Sequence, residues 1–344
     1  MNRIFLFCCF LFAISVAQAQ DKQYKVAAIG FYNLENLFDL EDDPKIRDEE
    51  FTPAGGKGYT EEVYAEKLDH LSRVVSELGT DLSPDGVALL GVAEIENRKV
   101  LEDFVQHPRL KERNYQIIHY DSPDRRGIDV GLIYQGKYFQ PTNSKALPVL
   151  IYNGDGSRRY TRDVLLVSGL LDGDEIHVMV NHWPSRSGGQ AASQPYRNAA
   201  AEVCKLAKDS LMNSNPKAKV IIMGDLNDDP TSPSVSSVLI AKKKKSKVKK
   251  KGLYNPMYDF YRKGIGTLAW RDSWNLFDQI IVSKGLLDKV DGYYYYQTKI
   301  HNKKYLLQKT GQFKGYPFRT YAGDTYLGGY SDHFPVYIYL IKEL

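Results

Sequence analysis

The 344-residue chain holds only three cysteines, and two of them, Cys8 and Cys9, lie near its N-terminus in a segment that reads as removable. That leaves Cys204 alone, and one thiol excludes an intramolecular disulfide. A chain of this size buries enough apolar surface to stand without such staples. Nothing near Cys204 suggests a thiol nucleophile, and its apolar spacing in a helix-like stretch marks it as a buried structural residue. Long hydrophobic runs are equally scarce. Only Ile4 to Val16 is nearly unbroken, which is short of the roughly 20 residues a membrane span needs. With Arg3 before it and Ala17-Gln18-Ala19 after it, the segment has the parts of a signal peptide. Residues 1–19 are therefore expected to be cleaved, leaving a mature chain from Gln20 or Asp21 with no stable membrane anchor. The expected location is outside the cytoplasm, periplasmic or extracellular.

A domain linker and internal repeats are also missing, so residues 20–344 read as one domain. The formal charge of +4 has a local origin. Lys242–Lys245, Lys247 and Lys249–Lys251 place eight positive charges in one run, and without them the net charge falls to −4. Such a run reads first as a solvated, mobile loop remote from the core, and second as a patch for nucleic acid or another anionic surface.

What is present is a series of short strand-like runs. They cover Lys25–Phe31, Val87–Ala93, Tyr115–Tyr120, Asp129–Tyr134, Val164–Leu170, Ile176–Asn181, Val220–Gly224, Gln279–Val282 and Val336–Ile341. Several are β-branched or alternate with period two. Helical spacing covers Glu61–Leu78, Lys99–Phe104 with its flanks, and Tyr196–Leu211, the first with Thr60 as N-cap. About nine strands with a few helices predict an α/β or α+β fold with two packed sheets.

Polar groups recur where these runs meet loops, which is where a rigid sheet presents catalytic side chains. Asn33-Leu34-Glu35 ends the first run, and Ala93-Glu94-Ile95-Glu96-Asn97 ends the second. Arg126-Gly127-Ile128-Asp129 opens another, and Asn181-His182-Trp183-Pro184-Ser185-Arg186 closes one. Gly224-Asp225-Leu226-Asn227 follows a strand, and Ser331-Asp332-His333-Phe334-Pro335 precedes one. Each alone has a bland alternative: a carboxylate that caps a helix, a structural histidine, or a solvated arginine.

Together and in this order, from Asn33 to His333, the segments resemble the endonuclease/exonuclease/phosphatase superfamily, which includes deoxyribonuclease I. Strand count and resemblance together imply a four-layer sandwich of two mixed β-sheets flanked by helices. The resemblance implies Glu94 as the principal Mg²⁺ ligand, with Glu35 and Asp332 near the metal and Glu96 set behind it. Mn²⁺ or Ca²⁺ are alternatives, and oxygen ligands suit all three ions. Asn33 corresponds to a phosphate contact, and Asp225 and Asn227 to the pair that positions water and phosphoryl oxygens. His333 corresponds to the histidine beside the scissile phosphate, oriented by Asp278, with Asp129 and His182 as a second acid–histidine couple. The general base is either Asp225 or His333. Arg126, Arg186 and Arg197 are candidates for phosphate contacts.

The activity so implied is metal-dependent phosphodiester hydrolysis by in-line water attack, with a nucleic-acid substrate first in rank and a monomeric enzyme. A phospholipid or inositol-phosphate phosphoesterase is the rival, for which Tyr293–Tyr296 is a candidate membrane contact or simply a strand. A non-catalytic binding protein on the same scaffold ranks last, because none of the catalytic residues is missing.

Overall fold

The computed structural model describes residues 22–289 and 292–344. The signal-peptide reading of residues 1–19, with Cys8 and Cys9, lies outside these residues, as do Gln20 and Asp21.

In chain order the site-bearing strands are β1 (Tyr24–Leu37), β2 (Val87–Ile95), β3 (Tyr115–His119), β4 (Asp129–Gln135), β5 (Phe139–Leu147), β6 (Val164–Leu171) and β7 (Asp174–His182). They continue with β8 (Lys219–Asp225), β9 (Leu253–Tyr254), the hairpin β10 (Leu268–Trp270) and β11 (Ser273–Asn275), β12 (Asp278–Ser283), β13 (Tyr294–Ile300) and β14 (Val336–Glu343). One six-stranded sheet has the order β13-β14-β1-β2-β4-β3, and the other β9-β12-β8-β7-β6-β5. Both are mixed: β1–β2 and β7–β8 run parallel, and their other neighbours run antiparallel.

Alternation along the strands decides which side chains meet. Ile29 and Phe31 of β1 face the second sheet and pack with Val178, Val180, Ile221, Met223 and Ile280. Ala28 and Tyr32 face the other way, onto helices α1 (Glu61–Glu77) and α2 (Arg98–Gln106) through Leu71, Val75, Leu101 and Phe104. Helix α3 (Gln190–Ser214) covers the outer face of the second sheet with Ala200, Cys204 and Met212. The order of layers is thus helix, sheet, sheet, helix. Gly91 marks a close approach of the sheets, since a Cβ there would lie 2.7 Å from Met223 Cε. Thr60 caps α1 as expected, its hydroxyl accepting the Val63 N–H at 3.4 Å. No helix among the described residues is long and apolar enough to cross a membrane.

One expectation needs correction, one strand carried no signal in the sequence, and one pair of alternatives is decided. The lysine run is not a detached, mobile loop. Val248, which interrupts it, is buried in the core between the sheets, and Lys242 N–H donates to the Leu253 carbonyl at 2.8 Å. The Lys245 ammonium stands 4.4 Å from the Tyr295 ring centre and Lys243 stands 5.3 Å from that of Tyr258, contacts an aromatic face rewards. The edge strand β5 escaped notice, because its exposed PTNSK stretch carries no alternation and contains Pro141. Finally, Tyr293, Tyr294 and Tyr295 are buried and only Tyr296 is exposed. Most of the tyrosine run is strand packing, not a membrane contact.

Candidate active site

The site lies where the two sheets end together. The C-terminal ends of β1 and β2 carry Asn33 and Glu94, and those of β7 and β8 carry His182 and Asp225. Asp278 opens β12 directly across from Asp225, and His333 precedes β14.

Local backbone breaks aim these groups inward. Glu94 has φ 59°, and the β1–β2 and β2–β4 registers both shift beside it, a bulge that turns its side chain out of the sheet pattern. Glu35 and Asn36, at φ 49° and 54°, bend the end of β1 in the same way. Non-glycine residues adopt this region only when the surroundings hold them there, and such positions concentrate at functional sites. Gly224 is fixed by space: a Cβ would fall 2.2 Å from the Asn181 carbonyl oxygen. That close approach of β7 and β8 lets Asp225 lie in register with His182.

The resulting contacts form one network. Asn33 Nδ2 donates to Glu94 Oε1 at 3.1 Å and to Asp225 Oδ2 at 3.2 Å. Its own Oδ1 accepts the Glu35 N–H at 2.9 Å, which fixes the orientation of the amide. The Asn36 N–H donates to Glu94 Oε2 at 3.1 Å. His333 Nδ1 lies 2.7 Å from Asp278 Oδ2, leaving Nε2 turned to the cleft, 3.9 Å from Asp225 Oδ2. His182 Nε2 lies 3.7 Å from both Glu94 Oε1 and Asp225 Oδ2. The Asn227 N–H donates to Asp225 Oδ1 at 2.9 Å, and its side chain to the Trp183 carbonyl at 3.0 Å.

Electrostatics separate the roles of these groups. Burial pushes the Asp225 carboxyl up to about 7, with Asp278 and Glu94 adding like charge against the relief from His333. Burial alone would neutralise His333, but Asp278, Asp225 and Asp332 override it and hold the imidazolium well above the ordinary histidine range. His182 goes the opposite way: burial, then Arg162, Arg126 and His333, keep it neutral. Glu94, His182 and Asp225 offer ligand atoms within 4.8 Å of one another. Two carboxylates, a neutral imidazole and converging negative charge fit a divalent cation.

Several expected site residues stand elsewhere. Asp129 does not pair with His182: it accepts from Ser122 and lies 3.1 Å from His119 Nε2. The two sit on different sheets, and Asp129 lines a neighbouring acidic cavity with Asp39 and Glu96. The Glu35 carboxylate accepts the N–H groups of Thr320 and Tyr321 at 2.7 and 3.3 Å. It therefore anchors that segment, with buried Lys67 bonded to Thr320 beside it. Asp332 flanks the site, 3.9 Å from His333 Nε2 and 3.9 Å from an Arg319 nitrogen, outside the Glu94 donor group. Arg186 is spent on Asp229 at 3.0 Å, Asp228 at 3.4 Å and the Asn227 carbonyl at 3.0 Å, and its guanidinium lies over the Phe277 ring. Arg197 is buried against Asp228 at 2.8 Å. Both hold the loop after β8 rather than face a substrate. Arg126 does line the cleft and is exposed.

Arg162 was missed. It is buried, donates to the carbonyls of His182 and Trp183 at 3.1 and 2.8 Å, and meets Asp124 at 3.0 Å. It thereby fixes the turn that presents His182. Arg159 and Thr161 line the same cleft of about 430 Å³. The sequence signal was the cationic cluster Arg158-Arg159-Tyr160-Thr161-Arg162 just ahead of a strand.

Two packed sheets whose ends gather buried carboxylates, amides and a carboxylate-held imidazolium define a hydrolase of phosphoric esters. The chain belongs to the endonuclease/exonuclease/phosphatase family, matching it over residues 28–342. Solved structures with the same fold include a family protein from Bacteroides thetaiotaomicron, at 15% identity and TM-score 0.52 over 94% of this chain and 98% of that one. The human Nocturnin catalytic domain with bound sulfate gives 14% and 0.52 over 94% and 98%. D. rerio TDP2 complexed with single strand DNA product gives 12% and 0.52 over 92% and 98%. At these identities the likeness is one of fold. No curated protein matches the chain in sequence.

Proposed function

We propose that the chain is an exported, Mg²⁺-dependent nuclease acting as one catalytic domain, with Mn²⁺ or Ca²⁺ as alternative ions. The observation that carries this reading is geometric: His333 Nε2, aimed by Asp278 on Nδ1, faces Asp225 in the same cleft where Glu94, His182 and Asp225 bring their ligand atoms within 4.8 Å of one another. Glu94, with His182 beside it, would hold the ion. When bound it would polarise the phosphoryl oxygens and neutralise their charge.

The chain's own groups perform the rest. Arg126 binds the phosphate, Asn33 holds Glu94 and Asp225 in place through its side-chain amide, and Asn227 holds Asp225 through its backbone N–H. Asp225 takes a proton from water as its oxygen attacks phosphorus in line with the leaving oxygen. The bond to the leaving oxygen breaks, and His333 Nε2 donates a proton to it. The products are a phosphomonoester and a free hydroxyl. Such chemistry rests on positioning and electrostatic stabilisation more than on covalent steps. The nucleic-acid assignment is supported by the arginines of the cleft and by a fold shared with a structure that holds a single-strand DNA product.

The test is hydrolysis of bis-p-nitrophenyl phosphate with Mg²⁺, followed by a panel of single-stranded DNA, RNA, sphingomyelin and inositol phosphates. Activity on the diester and on a polynucleotide, abolished by EDTA, is expected. Turnover of the lipid or inositol substrates alone would overturn the nuclease assignment.

A further inference from the structure

Leu268, at the root of the β10–β11 hairpin, lines the catalytic cleft, and the hairpin is tied to Asp278 and to the residue after His333. The Asp278 N–H donates to Thr267 Oγ1 at 3.3 Å, and the Phe334 N–H donates to the Thr267 carbonyl at 2.8 Å. Trp270 follows Leu268 by two residues on the same face of the strand, about 7 Å further out. It is 61% exposed, which removes it from the core.

The hairpin turn is unusual in its residues. Arg271 and Asp272 both adopt positive φ, 47° and 60°, in a two-residue turn where Asn-Gly would relax the backbone. Tyr316 holds it there: its hydroxyl accepts the Asp272 N–H and donates to Asp272 Oδ1, both at 2.6 Å. Trp270, Arg271, Phe313, Tyr316 and Arg319 then enclose a cavity of about 600 Å³. Arg319 packs over Phe313 at 5.1 Å, and its Nε is buried without a hydrogen-bond partner among the described residues. Arg319 also lines the adjoining cavity, which meets the cleft at Arg126. Aromatic faces and arginines therefore continue from the scissile-phosphate position to Trp270.

We propose that this hairpin cavity is a base-stacking subsite for the nucleotide adjoining the scissile phosphate, with Arg319 beside the intervening phosphate. Single-stranded oligonucleotides are then the preferred substrates, because only an unpaired base offers its faces to Trp270 and Phe313. This deepens the nuclease reading and rests on it. A membrane-inserting hairpin is the competing use of an exposed tryptophan. Against it, the hairpin tip carries Arg271 and Asp272, charges that hydrocarbon rejects, and the aromatic side chains line a concavity.

The experiment compares the full chain with its Trp270→Ala and Trp270→Phe variants on two substrates, a trinucleotide and the same sugar-phosphate backbone without bases. Trp270→Ala should lower kcat/KM on the trinucleotide about tenfold, the worth of one stacked base, and Trp270→Phe should restore most of it. The abasic backbone should be turned over alike by all three proteins, which also reports that the variants fold. Equal rates on the trinucleotide, or an equal loss on both substrates, would overturn the subsite. So would Trp270-dependent binding to anionic phospholipid vesicles. If the parent protein cleaves no oligonucleotide yet hydrolyses the small diester, the nuclease reading itself falls.

Discussion

His333 and Asp278 are 55 positions apart in sequence and belong to different sheets, yet Nδ1 of the one lies 2.7 Å from Oδ2 of the other. A carboxylate in that position fixes the tautomer, stabilises the imidazolium and aims Nε2 at the cleft, the same logic as in hydrolytic triads.

His333→Ala should therefore lower kcat by roughly 10²–10⁴-fold, the contribution of one positioned acid–base group. The dissociation constant of a non-hydrolysable diester should change far less. Asp278→Asn should also move the alkaline limb of the kcat profile. His333 is active while protonated and its pKa is raised, so activity is lost as pH rises through that value. Without the Asp278 charge the loss should begin at lower pH. A limb that stays in place would show that Asp278 does not set the charge of His333.

Metal affinity should depend on pH with a definite sign. Asp225 is pushed up to about 7, so below that pH it carries a proton and no longer adds its negative charge beside a cation held at Glu94. Mg²⁺ binding followed by calorimetry should tighten as pH rises through neutrality and then level off, releasing protons into the buffer. Glu94→Ala should raise the Mg²⁺ concentration needed for half-maximal activity while leaving the His333 limb unmoved. A Glu94→Ala enzyme with an unchanged Mg²⁺ requirement would remove Glu94 from the metal site.

Glu96 gives a test of stability. Burial, then the charges of Asp39 and Asp48, push its carboxyl up from 4.5 to about 8. The folded state therefore keeps a proton that the unfolded chain gives up. The stability this contributes is present at low pH and lost as pH rises from 4.5 through about 8. Glu96→Gln keeps an oxygen for the Asp39 N–H, which Glu96 accepts at 2.7 Å, and carries no charge to bury. It should raise Tm at alkaline pH by roughly 2–4 °C or more and change little at acidic pH. Equal melting curves at high pH would contradict the buried-proton argument.

The lysine run stands at the end of β12 remote from Asp278, because Leu253 and Tyr254 pair with Ser283 and Val282. Replacing Lys249 and Lys250 with Gln should leave turnover of a small diester unaltered. If the patch touches DNA, the same change should weaken binding at low salt and flatten its salt dependence. Lys245→Ala should instead destabilise the fold by about 1 kcal/mol through loss of its contact with Tyr295.

Much of the architecture was legible because alternation is a strong signal where one face is buried. Ile29, Phe31, Val178, Val180, Ile221 and Met223 wrote themselves into the sequence as strands. The exposed edge Phe139–Leu147 did not, since no core imposes a pattern there. The convergence of Asn33, Glu94, Asp225, Asp278 and His333 could be read from motif order. The Asp129–His182 pairing could not, because residues on two sheets meet only as the packing of the sheets allows. Arg186 and Arg197 show the same gap. Their charges were visible, but the partners that absorb them, Asp228 and Asp229, became apparent only once the loop after β8 was folded. The lysine run misled because a single buried valine outweighed the composition around it.

Asn33, Glu94 and His333 come from one sheet, and His182, Asp225 and Asp278 from the other. The bonds Asn33–Asp225 and His333–Asp278 therefore cross the seam between them. Neither sheet owns a working site, and each is a half-template for the other. Catalytic competence becomes a gauge of how faithfully the two sheets are docked. A core substitution far from any substrate, such as one that fills the space at Gly91, would reach the chemistry by shearing that alignment rather than by altering any reacting group.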